Sequence, residues 1–314
     1  MSTATAPAPS QTPVSAPRRT PRGRRRRNER WAAAILLAPD ILGLAVIYVG
    51  PILYTVYLSF YEWNGISPQR TFVGLDNYKF LLDDPTWRKS VFVSLLYLLM
   101  YVPLVTGSAL FLAVLLLQRI PGSKLFRTVY FLPMAVPLVV AAMVCQFIFQ
   151  PSYGFLNYLL GHFGIPAQPW LSSSHEALVV VVLVSAWKQV GYFMVIFLAA
   201  LLAVPKELHE AAAMDGAGAV RRFRSITWPT IWPTTLFVIV MTTILALQDF
   251  DQIFVLTRGG PDHGTYVQVY YIYEQMLQFL RMGPASAASV VLFLMIMLLS
   301  LGQLSLFRQG NEEQ

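Results

Sequence analysis

The chain has 314 residues, 56% of them hydrophobic and only 12% charged. Soluble domains carry about 25% charged residues, so these proportions exclude a water-soluble globular protein and place the chain in the membrane class. The formal net charge of +7 is local. Residues 1–30 hold eight of the 23 Lys+Arg (Arg18, Arg19, Arg22, Arg24, Arg25, Arg26, Arg27, Arg30) and one of the 16 Asp+Glu, Glu29, so the rest is neutral.

The first 17 residues are mostly Ser, Thr, Ala and Pro. With little apolar surface to bury, 1–30 reads as a disordered basic tail. An arginine run is also a nucleic-acid signal. Here it directly precedes an apolar stretch, which points to membrane orientation and contact with anionic lipid, with no nucleic acid. A secretory signal has an apolar core of about 7–15 residues. The stretch after Trp31 runs on to about Phe60, so 31–62 is predicted as an uncleaved first transmembrane helix.

Crossing the hydrocarbon core takes about 20 apolar residues. Six stretches qualify: 32–60, 91–118, 125–149, 176–203, 234–256 and 285–307. The predicted fold is therefore an all-α membrane protein with about six transmembrane helices. A cytoplasmic N-terminus puts sixteen basic residues inside and six outside, as the positive-inside rule requires. Both termini, including a short tail 309–314, are then cytoplasmic. The extracytoplasmic segment 63–90 contains Tyr78, Phe80, Leu81, Leu82 and Trp87 among charges, which suggests an interfacial helix with aromatic anchors over 76–88. Residues 150–175, rich in Gly, Pro and aromatics, read as a loop against the outer mouth.

Pro103 is expected to interrupt the second span, and Pro133 and Pro137 the third, because proline removes a helical hydrogen bond. Cys145, the lone cysteine, falls in an apolar run and reads as packing. The last span opens on Gly283-Pro284-Ala285-Ser286-Ala287-Ala288-Ser289, small residues that let backbones approach closely.

Ionisable residues within spans are costly, about 2.5–3.5 kcal/mol on insertion scales, and are functional candidates. Lys188 lies 16 residues before Val204, and Asp249 lies 16 residues after Pro233. At 1.5 Å per residue both sit about 24 Å from the inner edge. A Lys188–Asp249 pair lining the outer half of a pathway is expected, with a purely structural pair as the alternative. Asp251 lies nearer the outer surface. Trp187, Tyr192 and Gln248 fall near the same depth and could hold a sugar through aromatic faces and hydrogen bonds, or simply pack. Asp40, after Pro39, could face lipid headgroups or another subunit.

The segment 204–233 is the long polar stretch between the fourth and fifth spans. Pro205 suits a helix start with Glu207 and Glu210 in the early turns. Gly216 and Gly218 suit a stop and turn. A second helix fits 219–228, with Val220, Phe223 and Ile226 on one face and Pro229 closing it. Ala211, Ala212 and Ala213 offer a low-profile surface for a partner, or the segment is an amphipathic linker on the membrane.

This segment resembles the cytoplasmic loop of permease subunits in binding-protein-dependent ATP-binding cassette importers. The family pattern is Glu-Ala-Ala, three residues, Gly, nine residues, Ile, one residue, Leu-Pro. Here it is Glu210-Ala211-Ala212, Gly216, Ile226, then Trp228-Pro229, departing only at Trp228. Phe72-Val73-Gly74-Leu75-Asp76-Asn77-Tyr78, Phe126-Arg127-Thr128 with Phe131-Leu132-Pro133, and Leu256-Thr257-Arg258-Gly259-Gly260-Pro261 are similar to the maltose-type carbohydrate subfamily. The resemblance covers about 31–308. It implies a type I importer fold with a permease core over 91–308, docked through 204–233 onto a separate ATPase that the Glu210 position contacts. It also implies a second permease of different sequence, two ATPase subunits that carry ATP and Mg, an extracellular substrate-binding protein, and no cofactor on this chain. The implied cargo is a sugar, or glycerol 3-phosphate or a related solute. One basic group in the spans, Lys188, leans toward a neutral sugar.

The sequence contains no G-x-x-x-x-G-K-[ST], G-x-S-x-G or H-E-x-x-H, so no catalytic or metal residue is assigned. His162, His175, His209 and His263 have no metal-ligand spacing. A membrane enzyme that modifies lipid or glycan lacks its constellation here, and an ion-coupled secondary transporter lacks its internal repeat.

Overall fold

The computed structural model describes residues 36–118 and 122–312, with side chains as far as residue 305. The expected basic tail 1–30 lies outside the described residues. The chain divides into two compact units, the first ending at Tyr54 and the second beginning at Thr55.

Helix α1 spans Leu36–Leu58, with a π turn at Ala45–Val49 closed by the Gly50 N–H on Ala45 O. Its large apolar side chains up to Tyr54 are exposed, as in a helix that is hydrophobic all round.

In the second unit α1 ends at Leu58, short of the expected residue 62. A two-stranded hairpin follows, β1 (Tyr61–Glu62) antiparallel to β2 (Thr71–Phe72), with Tyr61 opposite Phe72. Helix α2 (Asp76–Asp83) comes next. The helix expected over 76–88 is split at Asp84 between α2 and the next helix, and α2 packs on the preceding segment. Leu81 is buried, the Tyr78 hydroxyl shares a 2.7 Å hydrogen bond with Ser59 Oγ, and Trp87 is buried in the following helix. That helix, α3 (Pro85–Leu117), starts six residues before the expected 91. The Asp84 carboxylate caps it by accepting from Thr86 N at 2.8 Å, and Pro85 occupies the first turn, where a missing N–H costs nothing. Pro103 does not interrupt it. The ring is exposed on the helix surface, away from the packed face.

The third expected span is two helices. α4 (Ser123–Ala135) and α5 (Leu138–Ile148) meet at a 99° bend. Helix α6 (Phe155–His162) follows α5, and a 3₁₀ turn at Trp170–Ser172 leads into α7 (Ser174–Leu202). Beyond the loop lie α8 (Lys206–Met214) and α9 (Ala219–Leu247). The segment between α9 and the last helix contains α10 (Asp251–Leu256) and α11 (Gln268–Tyr273). The last helix, α12, runs Met282–Glu312, so the expected tail 309–314 begins as helix. Among the described residues, α1, α3, α7, α9 and α12 are long and apolar enough to span a membrane, and the bent pair α4–α5 brings the number to six.

The core lies between α3 and α7. Val105, Ala109 and Ala113 of α3 and Phe193 and Phe197 of α7 have no exposed surface. Small residues on one helix admit large ones from the other. Near the start of α12, Asn77 Nδ2 donates to Ser59 O at 2.9 Å and Tyr61 O at 3.0 Å, while Met282 N–H donates to Trp63 O at 2.9 Å. These bonds draw α2 and the hairpin onto the start of α12. The approach is close enough that a Cβ on Gly283 would stand 2.3 Å from Tyr61 O and 2.8 Å from Asn77 Nδ2.

Gly283→Ala is therefore expected to lower the stability of the purified protein by about 1–3 kcal/mol, the range for overpacking against groups that cannot yield. Gly107→Ala, where an added Cβ meets nothing within 4 Å, is expected to be neutral or slightly stabilising. Thermal unfolding of the two variants in one detergent checks the contrast.

Candidate functional site

The bend between α4 and α5 has a definite cause. Pro137 has no N–H, so it cannot donate to Pro133 O as a helix requires. Val136 is extended, with ψ 133°, so its own carbonyl also leaves the helical ladder. Carbonyls freed inside a bilayer must find a donor within the protein. Lys188 of α7 supplies it. Its Nζ donates to Val136 O at 2.6 Å and Pro133 O at 3.1 Å. One turn further along α7, Gly191 lets the two helices touch. A Cβ there would stand 1.8 Å from Tyr130 O. Lys188 and Gly191, three residues apart, thus form one face of α7 that grips α4 and its break.

A second break follows α9, which ends at Leu247 and not near the expected residue 256. Gln248-Asp249-Phe250 separate it from α10. Asp249 Oδ2 accepts hydrogen bonds from the Tyr97 hydroxyl of α3 and from Ser185 Oγ of α7, the latter at 2.9 Å. The predicted Lys188–Asp249 pair does not form, because each group is held elsewhere. Asp249 meets α7 one turn before Lys188, and Lys188 turns toward carbonyls that counting residues could not reveal. Tyr97 and Ser185 were not singled out from sequence. The clue was there: Ser185 lies three residues before Lys188 in an otherwise apolar run, and so shares its face.

The other pathway candidates are dispersed. Trp187, 48% exposed, lines an apolar groove of about 510 Å³ with Val140, Val144, Cys145, Ile148 and Leu183. Tyr192 is half-buried edge-to-face with Phe193, the centroids 5.1 Å apart. Gln248 is exposed beside Asp249, and its N–H caps α9 on Leu245 O. Asp251 is exposed at the start of α10.

The loop between α7 and α9 is a rigid elbow. Pro205 caps α8 from outside instead of beginning it. Gly216 adopts φ +81°, Ala217 N–H reaches back to Ala212 O at 2.9 Å, and Gly216 N–H bonds Ala213 O at 3.1 Å. This is a Schellman stop, with glycine where a left-handed residue is needed. Glu210 and Ala211 are exposed, and Ala212 is half-buried. Met214 (89%) and Val220 (81%) project from opposite sides of the stop. Ile226 is half-buried and Pro229 exposed.

The expected second helix does not close at Pro229. It runs on as α9 through a π turn at Phe223–Thr227, where Trp228 N–H bonds Phe223 O. Regular α geometry restarts at Trp228, which places Pro229 in a first turn and makes its missing N–H harmless. His209 Nε2 lies 3.5 Å from Thr227 Oγ1 and links α8 to this turn.

Residues 106–309 match the family model described as binding-protein-dependent transport system inner membrane component. The chain is 34% identical over 283 residues to the probable ABC transporter permease protein YurN of Bacillus subtilis (strain 168), covering 89% of this chain and 97% of that one. It is 38% identical over 266 residues to the sn-glycerol-3-phosphate transport system permease protein UgpA of Brucella abortus, covering 84% and 90%. It is 34% identical over 285 residues to the sulfoquinovosyl glycerol transport system permease protein SmoG of Agrobacterium fabrum, covering 89% and 91%. Its fold is that of a chain in a bacterial ABC transporter involved in the import of the acidic polysaccharide alginate, with a TM-score of 0.79 at 22% identity over 92% of this chain and 99% of that one.

The geometry predicts that Lys188→Met destabilises the protein by about 1–3 kcal/mol, since Val136 O loses a charged donor and Pro133 O keeps only Val136 N–H at 3.3 Å, and that Asp249→Asn costs less. The double variant should show the sum of the two within about 0.5 kcal/mol. A double-mutant cycle by thermal unfolding checks this. A coupling above about 1 kcal/mol would restore the abandoned ion pair.

Proposed function

Because the chain belongs to the family of binding-protein-dependent transport system inner membrane components, we propose that it builds half of the passage of an ATP-driven importer for a neutral sugar and is driven through the α7–α9 elbow. As a member of that family it is a pore subunit and not an enzyme. The observation that carries the coupling role is the elbow itself. Glu210-Ala211-Ala212 and Gly216 keep the family spacing on a capped, exposed helix, and Met214 and Val220 project as unpartnered apolar knobs. Exposed apolar residues on a rigid element mark a docking surface, here for the cleft of a separate ATPase.

The distribution of basic residues supports an orientation with both termini and the elbow in the cytoplasm. The remaining subunits of the proposed assembly are a second, different permease, two ATPase chains that hold ATP and Mg, and an extracellular binding protein. The family description names such a binding protein, and one structural relative is a bacterial alginate ABC transporter in complex with an alginate pentasaccharide-bound periplasmic protein.

The lean toward a neutral cargo rests on Lys188. Its charge is committed to the Pro133 and Val136 carbonyls, so it does not await an anion. Asp249, with Gln248 exposed beside it, offers acceptors suited to sugar hydroxyls. Glycerol 3-phosphate is the second reading, favoured by the 38% identity to the Brucella permease of that name.

Met214→Asp with Val220→Asp leaves the fold's core untouched, since both side chains are exposed. Uptake by cells carrying this double variant is expected to fall at least tenfold, with loss of ATPase co-purification and unchanged permease abundance in the membrane. Unchanged uptake together with an intact ATPase complex would refute the coupling role. Competition of uptake by neutral sugars and by glycerol 3-phosphate separates the two cargo readings.

A further inference from the structure

We propose that the segment from Gln150 to Trp170, with α6 at its centre, is a lipid-inserted foot seated in the bilayer interface on the side opposite the α7–α9 elbow. Three observations carry this. The first is inverted amphipathicity. Phe155, Tyr158, Leu159 and Phe163 recur at helical spacing, and they are 62%, 67%, 42% and 74% exposed. In water an apolar stripe turns toward the protein. This one faces away.

The second is rigidity. The outward stripe is not a loose loop caught in an arbitrary rotation. Asn157, on the inward face, uses its whole amide. Its Nδ2 donates to Pro151 O and Gln168 O, both at 2.9 Å, and its Oδ1 accepts from Gln168 N at 3.1 Å and Trp170 Nε1 at 2.7 Å. Phe147 against Tyr153 and Phe149 against Trp170, each pair with centroids 5.8 Å apart, tie the segment to the end of α5. The rotation of α6 is thus set by polar bonds that an inward-facing stripe would break.

The third is charge. No Asp, Glu, Lys or Arg lies between Arg127 and Glu176. The two other segments on the same side are different: 59–84 and 248–281 both carry several acids and bases. A water-facing connection has no reason to exclude charge, whereas one lying in lipid does. The stripe is three aromatics and a leucine and not the small residues that helix-to-helix contact uses. Tyrosine and tryptophan at the end of a span are the composition of the membrane interface. The occupant of this face is therefore lipid and not a second permease. The foot would fix the height of α5 in the bilayer, and with it the bend that Lys188 holds.

The test uses the assembled transporter in lipid nanodiscs, with Cys145→Ala and a nitroxide label on Tyr158→Cys or Phe163→Cys. Collision with oxygen is expected to exceed collision with a water-soluble nickel chelate at least threefold, while a label on Gln69→Cys, in the exposed turn between β1 and β2, shows the reverse. Nickel collision matching that at Gln69→Cys would place the stripe in water and overturn the proposal. Low collision with both agents would mean a protein cover and also overturn it. A photoreactive phenylalanine analogue at Tyr158, which keeps an aromatic ring there, gives an independent reading. Lipid adducts support the foot, and a cross-link to the second permease refutes it.

Discussion

A carbonyl oxygen inside a bilayer has no water to turn to, and much of this architecture follows from how two such carbonyls are satisfied. Pro137 denies Pro133 O its helical partner, and the extended Val136 frees a second oxygen. Lys188 answers both. The magnitudes explain why a lysine is tolerated there. Placing it in a span costs about 2.5–3.5 kcal/mol. Each hydrogen bond from a charged donor contributes about 1.5–3 kcal/mol, so two of them offset the insertion. They also spare the Val136 carbonyl a penalty of about 1–3 kcal/mol, whereas the Pro133 carbonyl has a second donor in Val136 N–H at 3.3 Å. The lysine and the broken helix are each expensive alone and stable together.

α7 does the same service twice. Ser185 and Lys188 share a face one turn apart. The first helps hold Asp249 at the break beyond α9, and the second holds the break between α4 and α5. Tyr97 of α3 completes the grip on Asp249. Non-helical backbone within a membrane protein is confined to places where it is buried or lines a cavity, and broken helices are where transporters place their sites. Both breaks lie against one uninterrupted helix. The scaffold is therefore α3 with α7, and α5 and α10, the helices that follow the two breaks, pack on each other.

Much of this was legible in the chain of residues. Apolar runs of about 20 announced the spans, and Gly216 announced the stop of α8 through its left-handed backbone. The proline signals misled where the third dimension intervened. Pro103 leaves α3 unbroken because it lies on the exposed surface. Pro229 ends nothing because a π turn shifts it into a first turn. Pro133 and Pro137 bend the chain by 99°, more than a kink, because a lysine 51 residues beyond Pro137 is there to receive the freed carbonyls. The charge pair failed for a related reason. Equal depth on two helices says nothing about azimuth, and a lysine seeks carbonyl oxygens as readily as carboxylates. Gly191 was invisible because a glycine in a span has many reasons, and only the position of Tyr130 selects one.

On the proposed reading, a force applied at α8 has two routes into the membrane, α7 and α9, and they differ in stiffness. α7 leaves the elbow as a regular helix, and its buried face carries the polar hooks. α9 leaves through a π turn, and Pro233 inside the helix removes a further backbone donor. A helix yields where its ladder is interrupted. α9 is therefore the compliant limb and α7 the stiff one. A displacement of the elbow would tilt α9 about its π turn and pull the Asp249 end relative to a nearly fixed Ser185 and Lys188. The bond most exposed to that motion is the one between Asp249 and Ser185, since it joins the moving limb to the fixed one. The Lys188 bonds join α7 to α4 and α5 and would persist. On that reading, such an arrangement would open one break while keeping the other closed.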